Sequence, residues 1–248
     1  MARRPTDDAL IARLAEMNRA GLTDECVPDL RDMLRRRSSV LIARAARAVV
    51  TLQAAELTSD LITTFVRLLD SPAKADEGCI AKVALAEAMD ALRLPDTEPF
   101  LRGIRHTQME PVYGGTEDTA PGLRAQCAFA LARLGGVDAM LALTALLTDP
   151  EAEARVGGVK ALAHRGGLDA ELLLRMKASS GDSHVDVTAE CLTGLMAVEP
   201  DRSVEFVAAY LTAADEAIAE AAALALGESR EPAALAALMD HRAGAIMS

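Results

Sequence analysis

The chain has 248 residues, of which 51% are hydrophobic and only 2% are aromatic, and its formal net charge is −11. Such a length can bury a large core, and apolar residues that are mostly Ala, Leu and Val suit close-packed helices better than sheets. The negative charge opposes a general nucleic-acid role, because affinity for phosphate backbones comes mainly from Lys and Arg. The composition therefore predicts a folded, all-α protein.

The sequence shows neither a signal peptide nor a membrane span. Arg3 and Arg4 are followed by "PTDD" rather than by an apolar run, and no apolar run of about 18 residues occurs. Four widely spaced cysteines, without a CxxC pair or a His at zinc-ligand spacing, are expected to be small buried residues: Cys26, Cys79, Cys127 and Cys191. These features predict a cytoplasmic protein.

Charge is distributed unevenly along the chain. Residues 1–50 carry ten Arg against seven acidic residues, a net charge of +3. Residues 201–248 carry three Arg against eight acidic residues, a net charge of −5. Such a gradient either steers a partner or a second copy of the chain, or is solvated charge without a role.

After a predicted N-terminal capping helix at residues 1–21, a repeated pattern runs through residues 22–230. Superimposing "LRAQCAFALARLGG" (123–136) on "ARVGGVKALAHRGG" (154–167) places Arg124 on Arg155, a step of 31 residues. Further copies begin at residues 42, 81, 187 and 218, and Lys82 occupies the Arg position of its copy. Shorter amphipathic segments lie between the copies, with apolar residues three and four positions apart. Each repeat is therefore predicted to be helix A, a turn and helix B, giving about six helix pairs.

The turns between helices carry recognisable capping residues. In "TDPEAEAR", Asp149 is expected to be the N-cap of a B helix, with Pro150 at its first position. Gly135 and Gly166 are expected to end helices in the left-handed conformation.

The B-helix pattern resembles HEAT repeats of the short bacterial type called PBS-lyase HEAT-like repeats. Those B helices begin with Arg and continue through Ala-Ala and Ala-Leu pairs to Gly, and Arg124 with Ala130-Leu131 and Arg155 with Ala161-Leu162 match them. The later copies depart from the pattern, with Thr188 and Ala219 at the Arg position. The resemblance implies one α-α superhelical domain over residues 1–248. It also implies that Arg124 and Arg155 pair with an Asp or with carbonyl groups of the adjacent repeat.

One stretch, "RHTQMEPVYGGTEDTAPGLRAQ", interrupts the repeats. The step from Lys82 to Arg124 is 42 residues, whereas later steps are 31 to 33, so about ten residues are inserted near 105–121. Its candidate binding residues are Arg105, His106 and Tyr113. His106 and Glu110, four apart, are either metal ligands on a helical face or a helix cap and its neighbour. Tyr113, followed by two glycines, either presents an apolar face to a ligand or packs the loop onto the helices.

A second group of candidate binding residues follows the insertion. Lys160, His164 and Arg165 extend from one B helix and form either a basic patch or separate solvated charges. Arg124 and Arg155 belong to the same group if they do not serve the structural pairing described above.

No catalytic motif occurs, and neither a cofactor nor a metal is predicted. The preferred hypothesis is a non-catalytic scaffold that binds a protein or peptide on the concave face of the stacked B helices. The repeat resemblance also suggests an accessory factor or enzyme related to bilin lyases. A related iron-dependent deoxyhypusine hydroxylase needs repeated His-Glu pairs, which this sequence lacks. DNA binding, known for other HEAT-like proteins, is opposed by the acidic composition.

The C-terminal stretch "EPAALAALMDHRAGAIMS" (231–248) provides an A helix without a B helix to complete the pair. Leu235, Leu238 and Met239 fall on one side of this helix. Since an uncapped repeat exposes an apolar face, either the tail with Ile246 and Met247 folds back over it or a second chain covers it. The chain is therefore expected to be a monomer or a homodimer.

Overall fold

The computed structural model describes residues 5–21, 23 and 26–247, and their side chains as far as residue 243. Over these residues it contains fourteen α-helices and one two-stranded sheet, which confirms the predicted all-α class. No helix within these ranges is long and apolar enough to cross a bilayer. The chain divides into two compact units, 1–130 and 131–248. A single repeat domain over 1–248 stays a prediction.

The first unit consists of helices that pack in consecutive pairs. They are α1 (Asp7–Ala20), α2 (Cys26–Leu34), α3 (Ser39–Thr51), α4 (Thr58–Leu69), α5 (Ile80–Ala91), α6 (Glu98–Gly103) and the first part of α7 (Pro121–Leu134). Helix α2 packs on α3 and α4 packs on α5, while α3 also packs on α1 and α5. The inserted stretch forms an antiparallel hairpin between α6 and α7, with strands β1 (Met109–Val112) and β2 (Gly115–Asp118). The insertion was predicted, but the strands were not.

The second unit continues the same alternation. After the end of α7 come α8 (Val137–Leu146), α9 (Ala152–Arg165), α10 (Gly167–Ser180), α11 (Val185–Val198), α12 (Pro200–Ala208), α13 (Glu216–Ser229) and α14 (Pro232–Met247). Helices α9, α11 and α13 are the B helices, and α11 packs on both of the others. Across the described part of the chain, six pairs from α2/α3 to α12/α13 are flanked by α1 and α14, as the repeat pattern predicted.

Small side chains allow the B helices to approach closely. Four alanines of α3 and four of α5 are at most 2% exposed: Ala43, Ala45, Ala46, Ala48, Ala81, Ala84, Ala86 and Ala88. Because interiors pack at crystal-like density, helices joined through methyl groups leave little space into which a larger side chain could relax.

The predicted helix ends lie at the expected glycines, but one predicted conformation and one predicted helix start are wrong. Gly135 and Gly166 follow α7 and α9 with positive φ of 72° and 68°. The ψ of −169° at Gly166 lies outside the left-handed helical conformation that was expected of it. Helix α9 begins at Ala152, and its N-cap position is occupied by Glu151 rather than Asp149. The Asp149 carboxylate instead accepts the Glu151 N–H at 2.9 Å, which closes a tight turn before the helix.

The C-terminal stretch does not fold back on itself. Helix α14 is continuous from Pro232 to Met247, so the prediction of tail cover over this helix is wrong. Leu235 and Met239 on α14 are 61% and 63% exposed. The side chains of Ile246 and Met247 lie outside the described residues.

Two B helices of the first unit end in a left-handed residue that is not glycine. At the end of α3, Gln53 has φ of 56°, and at the end of α5, Arg93 has φ of 57°. Both ends show the paired hydrogen bonds of a Schellman motif: the N–H groups of Gln53 and Ala54 reach the carbonyls of Val50 and Val49. A residue with a Cβ is strained in this conformation.

We expect Gln53→Gly to raise the free energy of unfolding by about 1 kcal/mol, because glycine adopts the left-handed region without steric cost. Chemical denaturation measures the change. Gln53→Ala is the control, since it shortens the side chain but keeps the Cβ. Equal stabilisation by both substitutions would contradict the explanation.

Gly103, the last residue of α6, lies where a side chain has no space. A Cβ at this position would overlap the buried Cys127 Sγ and lie 3.0 Å from Phe65 Cζ. We expect Gly103→Ala to lower the free energy of unfolding by about 1 to 3 kcal/mol through overpacking. The effect should be smaller in a Cys127→Ala background, where the overlapping sulfur is absent. Additive effects in this double-mutant cycle would be inconsistent with direct contact.

Candidate functional site

Arg155 is a buried residue that joins two inter-helix turns. Its Nε and Nη2 donate to the two carboxylate oxygens of Asp182 at 2.8 and 2.6 Å. Its Nη1 donates to the carbonyl oxygens of Asp149 and Pro150 at 2.8 and 2.9 Å. This arrangement has the form of the structural pairing that the repeat resemblance implies, and the guanidinium is only slightly exposed. A binding role for Arg155 stays a prediction.

Asp182 is the anionic centre of this arrangement. Lys177 Nζ lies 2.7 Å from its Oδ2, in addition to the two bonds from Arg155. Burial alone would raise the pKa of Asp182, but the hydrogen bonds from Arg155 and Lys177 outweigh burial and hold the pKa well below its usual range. Asp182 is therefore ionised throughout the physiological range.

Arg124 also pairs with an Asp and a carbonyl oxygen, but those partners lie in the inserted loop of its own repeat. Its Nη1 donates to Asp118 Oδ2 at 2.6 Å and to the His106 carbonyl oxygen at 3.0 Å. Asp118 Oδ1 also accepts the N–H groups of Gln108 and Ala120. Burial opposes ionisation of Asp118, but these N–H donors and Arg124 lower its pKa overall. Arg124 is therefore tied to the base of the loop.

Lys82 occupies the Arg position of its repeat, also contacts an Asp near a turn, and is completely buried. Its Nζ donates to Gln108 Oε1 at 2.6 Å and lies 3.4 Å from Asp76 Oδ2. The Asp76 carboxylate, also fully buried, accepts the N–H groups of Ala81 and Lys82 at the start of α5. A buried charge is tolerated only when it is paired and hydrogen-bonded, and both conditions hold here.

Asp76 was not among the residues that the sequence predicted, although a signal for it exists. Asp76 stands six residues before Lys82, Asp118 six before Arg124 and Asp149 six before Arg155. The first two pairs make side-chain contacts, while Asp149 contacts Arg155 through its carbonyl. The repeated Asp-x5-Lys/Arg spacing was visible in the sequence beside the aligned Arg positions.

A polar cluster holds the base of the hairpin. Glu110 Oε1 accepts hydrogen bonds from the Gly78 N–H at 2.8 Å, Gln108 Nε2 at 2.6 Å and Thr119 Oγ1 at 2.7 Å. The Thr119 hydroxyl makes the largest contribution to lowering the pKa of Glu110. Gln108 Nε2 also donates to the Asp76 carbonyl, so the cluster is continuous with the Lys82 contact. The insertion is therefore anchored by polar contacts.

The tip of the hairpin is free within the described part of the chain. Tyr113 is fully exposed there, and Met109 and Val112 are about half exposed. The interpretation in which Tyr113 packs the loop onto the helices is therefore wrong. Ligand binding by Tyr113 stays a prediction. Arg105, at the start of the insertion, is exposed.

His106 and Glu110 do not share a helical face, because Glu110 lies on β1 and His106 lies in the loop before it. Among the residues whose placement is described, no three His, Cys, Asp or Glu side chains come together to hold a metal ion. The buried His106 Nε2 has no hydrogen-bond partner there, and burial lowers the pKa of His106. The imidazole is therefore neutral near pH 7.

The four cysteines are buried, as the sequence predicted. Burial raises the pKa of Cys79 to about 11 and of Cys191 to about 12, and it also raises the pKa of Cys127. Because the thiolate is the nucleophilic form, these three thiols lack the environment of a reactive cysteine.

The second unit contains an open groove of about 500 Å³ between the exposed faces of α9 and α11. Its lining combines three small apolar residues with three carboxylates and one ammonium group: Ala152, Val156, Ala189, Glu153, Asp186, Glu190 and Lys160. Lys160 Nζ lies 3.5 Å from Glu190 Oε2 across the groove. Glu153 and Asp186 make no ion pair within the described ranges, so the groove carries excess negative charge.

The predicted basic patch on α9 is not a surface of positive charge alone, because two of its cations lie beside carboxylates. Lys160 lies beside Glu190, and Arg165 Nη2 lies 3.0 Å from Asp169 Oδ2 while its Nη1 donates to the Ala132 carbonyl. His164 is exposed at the end of the same helix. Lys160 is thus the member of this group that lines the groove.

No protein-family model matches the chain, and no sequence match to a curated protein was found. The chain is similar to the solved structure of human deoxyhypusine hydroxylase in complex with glycerol, with 17% identity, coverage of 90% of this chain and 91% of that chain, and a TM-score of 0.38. A likeness this low carries no argument about the present chain. The assignment of helical repeats rests on the helix pairs of each unit.

We expect Asp182→Asn to lower the free energy of unfolding by about 3 kcal/mol, because it leaves the buried Arg155 without its carboxylate. Asp169→Asn is the control. It removes a carboxylate from the more exposed pair with Arg165, and its cost should stay below about 1 kcal/mol. Equal losses would contradict a special role for the buried pair.

The same pair predicts how stability depends on pH. Since the pKa of Asp182 is lower in the folded state, its contribution is complete above the unfolded value of about 4 and is lost as pH falls below that value. Asp182→Asn should therefore flatten the acid side of the stability curve. Denaturant titrations at several pH values measure this, and a curve of unchanged slope would contradict the assignment.

Proposed function

We propose that this protein is a non-catalytic binding module, and that the groove between α9 and α11 holds a basic segment of a partner protein. The observation that supports this proposal is the groove itself, which combines an apolar lining with unpaired carboxylates. Its volume of about 500 Å³ lies within the range of clefts that enclose ligands. The finer identification as a PBS-lyase HEAT-like protein is part of the same proposal.

The apolar lining favours partner side chains with aliphatic parts. Ala152, Val156 and Ala189 are small, so they leave depth between the two helices while removing apolar surface from water when the groove is filled. Lys and Arg side chains combine a long aliphatic stem with a charged end. Their stems fit such a lining, while their charged ends reach the carboxylates at the groove.

The charges of the groove favour a positively charged partner. Glu153, Asp186 and Glu190 provide three negative charges against one positive charge from Lys160. Complementary charge increases association rates and disfavours partners of the wrong sign more than it adds affinity. The same charges oppose a DNA phosphate backbone in this groove.

Stacked helical repeats commonly bind partners on the faces of their B helices. Helices α9 and α11 are B helices, and the repeat resemblance implies protein or peptide binding by B helices, which supports the proposal. The hypothesis of an accessory factor related to bilin lyases rests on that resemblance alone. Incubation with bilin followed by absorbance spectroscopy tests it.

A synthetic peptide that alternates Lys or Arg with Leu or Val tests the proposal by fluorescence anisotropy. We expect the basic peptide to bind and its Glu-substituted counterpart not to bind. The double variant Glu153→Lys/Asp186→Lys should weaken binding about tenfold or more, because it replaces attraction by repulsion. Binding should also weaken as salt is added.

The matched control is Asp201→Lys/Glu205→Lys, which makes the same change of charge at two exposed positions on α12. This variant should bind the basic peptide nearly as well as the unmodified protein. If both double variants lost affinity equally, the peptide would be responding to net charge alone. No binding by the unmodified protein would overturn the proposal for this class of partner.

A further inference from the structure

A second groove, of about 330 Å³, lies where α13 ends and α14 begins. Its lining consists of apolar residues, one glycine and two residues of opposite charge: Leu226, Pro232, Leu235, Leu238, Gly227, Arg230 and Glu231. Leu235 is 61% exposed, and Leu224 on α13 and Met239 on α14 are 57% and 63% exposed. An apolar face of this kind on a repeat pair normally contacts a further element.

Gly227 has no packing reason within its own chain. It lies inside α13, where glycine costs about 1 kcal/mol relative to alanine, and a Cβ built there would meet no atom within 4 Å. By contrast, a Cβ built at the helical glycines Gly103, Gly158 or Gly194 would meet an atom at 3.2 Å or less. The open backbone at Gly227 suits close approach by an element outside the chain.

The charges at the groove are self-complementary. Arg230 and Glu231 are neighbours of opposite charge, and neither makes an ion pair within the part of the chain that the structure describes. In a two-fold interface each residue of one copy meets the reciprocal residue of the other. Arg230 of each copy can then face Glu231 of the second copy, so that two equivalent ion pairs form across the interface.

We propose that this groove is the interface of a homodimer, in which α14 of each copy lies against the groove of the other. Leu235 and Met239 are four residues apart and thus share one face of α14, the face that would enter the second copy's groove. Helix α14 begins at Pro232, so Arg230 and Glu231 stand directly before its first turn, at the end of the groove where the two copies would meet. This inference is independent of the peptide groove between α9 and α11.

The contact is modest in size, so the dimer should be concentration-dependent. Stable interfaces bury about 800 Å² on each partner, and the apolar residues that this contact offers belong to one helix face and one groove. Light scattering after size exclusion, over a hundredfold range of concentration, should show the mass rising from 26.1 kDa towards twice that value. A constant mass of one chain would overturn the proposal.

Two substitutions test the apolar contact. Leu235→Glu should weaken dimerisation about tenfold or more, because it places a charge in the interface. Leu141→Glu, at a position on α8 that is 62% exposed compared with 61% for Leu235, is the matched control and should leave the dimer intact. Gly227→Gln should also dissociate the dimer while leaving the thermal midpoint of a dilute sample unchanged or higher. Equal effects of Leu235→Glu and Leu141→Glu would overturn the assignment.

Charge exchange tests the two-fold arrangement. Arg230→Glu and Glu231→Arg should each weaken the dimer, because like charges then meet across the interface. The double variant Arg230→Glu/Glu231→Arg should restore it, since every pair is again of opposite sign. Restoration identifies a second copy as the occupant, whereas dissociation that is not rescued would overturn the proposed pairing. Circular dichroism confirms that each variant is folded.

Discussion

Cationic side chains are buried beside the turns between helices, and their contacts determine how consecutive helices are joined. Alanine-rich B helices pack through methyl groups, so the turns that join them lie close to the interior and their polar groups need partners. Arg155 meets this need with carbonyl oxygens on one side and Asp182 on the other. A buried ion pair adds little net stability, but loss of one partner is severe. Such pairs therefore fix which turn adjoins which helix.

The hairpin insertion depends on the same constraint. Lengthening a loop costs little chain entropy, but a two-stranded hairpin is only marginally stable alone. Lys82 is a point charge and lacks the planar guanidinium with which Arg155 contacts the Asp182 carboxylate and two backbone carbonyls at once. Gln108 supplies the missing acceptor for Lys82 and donates to the Asp76 carbonyl and to Glu110. The pairing that closes the turn thus also anchors the base of the hairpin, and leaves its tip free.

The sequence predicted those features that depend on neighbours along the chain. Apolar residues three and four positions apart indicated the helix pairs, and Gly135 and Gly166 indicated where two of the helices end. The hairpin was not predicted because its strands have only four residues each and one of them contains Pro111. Its anchor is made by Gly78, 32 residues from Glu110. The groove between α9 and α11 escaped for a similar reason, since carboxylates from two repeats meet only after the helices pack.

Lys160 has a particular place in the proposed binding of a basic segment. Its ammonium group is 3.5 Å from Glu190, and its side chain is 49% exposed, so the pair contributes at most about 1 kcal/mol. An incoming Lys or Arg that takes over Glu190 therefore displaces a weak partner and gains a contact in a partly enclosed groove. Lys160 then moves into solvent at little cost, because its flexible stem needs no other partner. In the absence of a partner, Lys160 therefore pairs with Glu190 in place of the partner's cation. A cation without an aliphatic stem gains no apolar contact when it replaces Lys160, so it should bind more weakly than a Lys or Arg side chain.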